Sequence, residues 1–96
     1  MSWDPVAESY KALKKAYREM IEAGDALTAA RKAWQEACQR VYGAADGREK
    51  DNAIGAANKA EQAWRDADRD FVEAQKKYAR AVENQVKAAL RAGLDK

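Results

Sequence analysis

Asp46, Glu49 and Asp51 crowd together near the middle of a 96-residue chain. Asp66, Asp68, Asp70 and Glu73 follow a few turns later. Carboxylates this dense could bind a hard cation through oxygen. They could also exchange protons if burial raised one pKa. Asp66 and Asp70, four residues apart, share one helical face. A rigid helix cannot wrap a cation with six oxygens, however, and solvated charge or a surface for a basic partner is the expectation. Histidine, the commonest general base and metal ligand, is absent. No nucleophile is paired with a base, and no glycine-rich phosphate loop occurs. Cys38 is the one cysteine. It has no internal disulfide partner, and its place in the helical pattern predicts a buried, inert thiol. The expectation is a protein that is not an enzyme, with no catalytic residue, cofactor or metal.

Basic residues offer a second kind of chemistry. Lys11, Lys14, Lys15 and Arg18 would face Lys76, Lys77 and Arg80 if the two ends of the chain lay side by side. Residues 1–22 with 74–96 carry net +4 and residues 23–73 carry net −2, within an overall +2. Such a cluster could contact phosphates. No aromatic interleaving there suggests base stacking, and no helix-turn-helix or RNA-binding signature occurs. Nucleic acid therefore ranks below solvated charge as its explanation.

The elements that must carry these residues are helices. Ala, Glu, Lys, Arg and Asp dominate, β-branched residues are scarce, and proline occurs once. Asp4-Pro5 is a helix start, with Asp4 as cap and Pro5 in the first turn. Val6, Leu13, Met20, Leu27, Trp34 and Val41 then recur every seven residues, beside a row of Ala16, Ala23, Ala30, Ala37 and Ala44. Gly43 should end this helix in the left-handed conformation. Asp46-Gly47-Arg48-Glu49 reads as the next cap, with its acidic residue three positions on. Beyond it run a small row, Ala53, Ala60, Ala67, Ala74, Ala81 and Ala88, and a large row, Ala57, Trp64, Phe71, Tyr78 and Gln85. Gly93 should close the second helix, with Leu94 folding back on Leu90.

This pattern predicts one all-α domain over 1–96: helix 5–42, tip 43–46, helix 47–92. A connection so short forces the helices antiparallel. Small rows let them approach closely, large rows interlock beside them, and the period of seven implies a left-handed coiled coil with an alanine-rich seam. Gly24-Asp25 is where the first helix could break or kink. The seven-residue register passes through it unshifted.

Four acid-before-base pairs, Glu36/Arg40, Glu61/Arg65, Glu73/Lys77 and Glu83/Lys87, add about 0.2–0.5 kcal/mol each. Tertiary burial must supply the rest, and alanine supplies little. Tyr10, Tyr17 and Ile21 lie beside the first seam, and Val82, Val86 and Leu90 beside the second. They either widen the seam or form a partner surface. The simplest partner is a second copy, giving a homodimeric four-helix bundle. Tyr42, with Asp46, Glu49 and Asp51, marks the tip as a second contact surface, although helix-end packing would explain Tyr42 equally. A mean hydropathy of −0.80 and no long apolar run exclude a membrane helix. The N-terminus does not read as a signal peptide, so a reducing cytoplasm is expected.

Two families share parts of this layout. Val41-Tyr42-Gly43-Ala44-Ala45 resembles the Trp-x-Gly tip of the WXG100 class of small secreted helical hairpins, with valine in place of the tryptophan. Tyr78 is followed by Ala79-Arg80-Ala81-Val82, without that family's Tyr-x-x-x-acid export signal. The tip also resembles the coiled coil of Gre-type transcript-cleavage factors, whose acidic loop precedes Glu-Asn-Ala, as Asp46 and Glu49 precede Asp51-Asn52-Ala53 here. That resemblance implies acids reaching into a polymerase channel to hold magnesium. From the residues themselves, the expected function is a non-catalytic protein-protein interaction module. Small bacterial or phage regulators, inhibitors, adaptors and assembly components have this build.

Overall fold

The computed structural model describes residues 4–94, with side chains to residue 93, so the Leu94–Leu90 contact lies outside the described residues. The chain is an all-α helical hairpin. Helix α1 spans Pro5–Gly43 and α2 spans Arg48–Leu94, joined by residues 44–47. No strand occurs among the described residues. Asp4 starts α1 as its chemistry requires. Its Oδ1 accepts from the Val6 N–H at 3.0 Å and the Ala7 N–H at 3.3 Å, and its carbonyl accepts from Glu8 at 3.0 Å. Donors that a helix start leaves free are thereby satisfied.

The turn corrects the expected capping in two places. Gly43 is helical and not left-handed; the positive φ belongs to Gly47, at 97°. Reversing the chain in four residues needs one left-handed position directly before α2, and glycine adopts it without a Cβ clash. The cap moves by one residue accordingly. Gly47, not Asp46, accepts the first α2 bond, from Asp51 N–H at 3.0 Å. The Glu49 carboxylate reaches back to the Ala45 N–H at 3.3 Å, while Asp46 pairs with Lys50 at 3.5 Å. At the far end α2 continues through Gly93 to Leu94.

The chain packs as two compact units, Met1–Glu22 with Val72–Lys96, and Ala23–Phe71. In the first unit Ser9 Oγ lies within hydrogen-bond distance of Gln85 Oε1 and of the Val6 carbonyl. Tyr17 and Tyr78 meet with ring centroids 5.7 Å apart. Advancing from 9 to 17 on α1 thus accompanies a retreat from 85 to 78 on α2, which makes the pair antiparallel. In the register that Ser9 and Gln85 set, Leu13 stands level with Ala81, Ala16 with Tyr78 and Met20 with Ala74. Each of these three layers opposes one large side chain to one alanine. Ala16, Ala74 and Ala81 are buried, and the large partners are half-buried.

The same register sets Leu27 level with Ala67, Trp64 with Ala30, Trp34 with Ala60 and Val41 with Ala53 in the second unit, and Ala37 level with Ala57. The Trp34 and Trp64 rings stack, centroids 5.2 Å apart and 7° from parallel. Ala37 is buried. No break occurs at Gly24-Asp25, where α1 is unbroken. Instead the Phe71 ring comes so close that a Cβ on Gly24 would lie 3.3 Å from it. Thr28 Oγ1 donates to the Gly24 carbonyl at 3.0 Å. Cys38 is half-buried rather than buried, because it sits one residue past the seam position held by Ala37.

Of the four expected ion pairs, Glu61–Arg65 forms at 2.8 Å and Glu83–Lys87 at 3.1 Å. Glu73 turns to Lys76 at 3.5 Å instead of Lys77, and no pair joins Glu36 to Arg40. All are solvent-exposed, so their contribution is small.

Two comparisons test this packing in urea melts. Ala16→Leu should cost about 1–3 kcal/mol by overfilling the layer that Tyr78 already occupies. Ala33→Leu, on an exposed position of the same helix, should stay within about 0.5 kcal/mol. Gly55 is also helical, and a Cβ added there would meet nothing within 4 Å. Gly55→Ala should therefore gain about 0.5–1 kcal/mol, and Gly24→Ala less than that, since the Phe71 ring must shift. The reverse order would contradict the packing role of Gly24.

Candidate functional site

Lettering the large row a and the alanine row d makes the two flanks of the seam comparable. Positions e and b lie on one side and g and c on the other, and in an antiparallel pair the e side of one helix adjoins the e side of its neighbour. In the first unit, among residues 4–93, the g and c positions carry Glu8, Lys15, Glu19, Glu22, Glu73, Lys77, Arg80, Asn84, Lys87 and Arg91, with Pro5 and Ala12 the two apolar side chains. The e and b positions carry Tyr10, Tyr17, Ile21, Val72, Val82 and Val86, with alanines between them and Lys14 and Gln75 the two polar side chains. One flank is wetted by charge and the other is a sheet of apolar side chains.

All six residues expected at the open end are solvent-exposed, from 37% for Val82 to 62% for Leu90. Tyr17 reaches across to Tyr78 and still remains half-exposed, so the set is not buried in the seam. Five share the e/b flank, and Leu90 lies at its edge, one turn beyond Val86. Val72, 39% exposed, belongs with them and was not expected there; its position directly after Phe71 in the register was the available signal. Leu13, Tyr17, Ile21 and Tyr78 line an open groove on this flank, rimmed by Lys14 and Arg18. Lys14 Nζ stands 5.4 Å from the centre of the Tyr10 ring, a cation–π distance.

The basic residues do not form one surface. Lys14 and Arg18 border the apolar groove, whereas Lys77 and Arg80 line a separate recess with Glu8 and Ser9. Lys11, Lys15 and Lys76 each have a carboxylate on the same helix within 4.0 Å, from Glu8, Glu19 and Glu73.

In the second unit the e and b positions are mostly polar: Thr28, Arg31, Gln35, Asn58, Glu61, Arg65 and Asp68. Apolar exposure returns at Tyr42, 90% exposed, and Ile54. Helix-end packing does not account for Tyr42. Asp46 and Glu49 are engaged locally, as described above, and Asp51 is exposed. Asp66 accepts from Gln62 at 3.0 Å and from Arg69 at 3.5 Å. Among the described residues no three Asp, Glu or Cys side chains come together as metal ligands. None of the described helices is long and apolar enough to cross a membrane.

No protein-family model matches the chain, and neither the curated proteins nor the solved structures contain a match.

The position of Cys38 has a direct chemical readout. A maleimide should label it in the native protein, more slowly than in urea. Complete protection until unfolding would place the thiol in the seam instead.

Proposed function

We propose that this protein is a non-catalytic protein-protein interaction module that docks through the apolar e/b flank of its first unit. The supporting observation is the contrast between the two flanks of one helix pair: charge on g and c, exposed tyrosine, isoleucine and valine on e and b. Solvent gives no reason to concentrate apolar side chains on one flank, and patches of this kind mark interaction surfaces. Tyr42 at the turn offers a second anchor of the type that interfaces favour. A cytoplasmic setting suits the free, half-buried thiol of Cys38. The basic residues favour nucleic acid less, since several are matched by neighbouring carboxylates.

The test compares the wild-type chain and Val86→Glu, each immobilised and exposed to lysate of the native host. Both should show the same helicity by circular dichroism. The wild type should retain a protein, a copy of itself included, that the variant retains at least about tenfold more weakly, the effect of roughly 1.4 kcal/mol. Equal retention would overturn the assignment of the docking face.

A further inference from the structure

The docking face has an internal asymmetry. Its α1 half carries large side chains, Tyr10, Tyr17 and Ile21. Its α2 half carries smaller ones, valines and alanines, with Gln75 among them. Resting on the docking reading above, we infer that the occupant of this face is a second copy of the chain, related by a two-fold axis running parallel to the helices.

The argument is the seam rule applied once more. Inside each unit most layers set a large side chain against an alanine. Two copies of the e/b flank complement each other in the same way only when α1 of one copy lies on α2 of the other. A two-fold axis parallel to the helices does this, and it keeps every neighbouring pair antiparallel. A two-fold axis perpendicular to them would set tyrosine row on tyrosine row and leave the valine rows facing a gap.

Carrying the register across, Tyr10 falls between Val82 and Val86 of the second copy. Tyr17 falls between its Gln75 and Ala79, and Ile21 falls against its Val72. These are knobs entering holes, the geometry of four-helix bundles. Lys14, the one charge in the face, sits at the groove rim with a flexible stem, so its ammonium can reach water while the stem packs.

The area is sufficient. About twenty residues of each helix rise roughly 30 Å, and two helices side by side are roughly 20 Å across. That footprint of about 600 Å² per copy, roughened by tyrosines, reaches the ~1,200 Å² total at the lower end of stable interfaces. A second layer also supplies what one hairpin lacks, because its only buried side chains among the described residues are four alanines.

The experiment uses full-length chains carrying Cys38→Ser. Tyr17→Cys and Ala79→Cys versions are mixed and oxidised mildly. The inferred axis predicts that the 17–79 disulfide between chains dominates. A dominant 17–17 disulfide would overturn it in favour of the perpendicular axis. Light scattering of the wild type should give twice the 10.7 kDa chain mass. Val86→Glu and, independently, Tyr10→Glu should return it to one, with helicity retained. A wild type that stays monomeric overturns the second copy, and the docking face itself then stands or falls on the retention experiment. A dimer that neither substitution weakens overturns both.

Discussion

Alanine set against a large side chain, layer after layer, is the constraint on which this molecule rests. A methyl group lets two helix backbones approach near the lower end of the usual ~8–10 Å separation. At that distance the large residue opposite has no room to lie flat in the seam. It is displaced to the side and remains half-exposed, as Leu13, Trp34, Trp64, Phe71 and Tyr78 all are. The same constraint accounts for a core made of Ala16, Ala37, Ala74 and Ala81. It bears on Gly24 as well, where a methyl group would crowd the Phe71 ring at 3.3 Å.

Exceptions to the rule carry information. Ser9 and Gln85 occupy seam positions and meet through a side-chain hydrogen bond. A polar pair at a seam position contributes little net stability but fits one register, because a shift would part Gln85 from Ser9, whose hydroxyl keeps only the Val6 carbonyl. Such a pair is useful in a seam of near-identical alanines, where sliding by seven residues would otherwise change little. The aromatic pairs Tyr17–Tyr78 and Trp34–Trp64 reinforce that register from the flanks.

Period and register were legible because they depend on residue size repeated many times. The antiparallel hairpin, the Asp4 cap and the exposure of Tyr10, Tyr17, Ile21, Val82, Val86 and Leu90 all follow from position in the seven-residue pattern. Features set by single close approaches were not legible. Gly24 looked like a hinge because glycine is a helix breaker in general, whereas here it makes room for a ring. Gly43 and Gly47 are equivalent as residue types, and only the geometry of the reversal decides which one turns left-handed. Cys38 lies one step off the seam, a shift of about 100° around the helix that is enough to expose its sulfur in part.

Methyl-detected nuclear Overhauser spectroscopy, isotope-filtered to isolate contacts within one chain, tests the layered seam most directly. The account predicts intramolecular cross-peaks from the Leu13 methyls to Ala81 and from the Trp34 indole to the Ala60 methyl. Their absence, or their appearance only between chains, would contradict it.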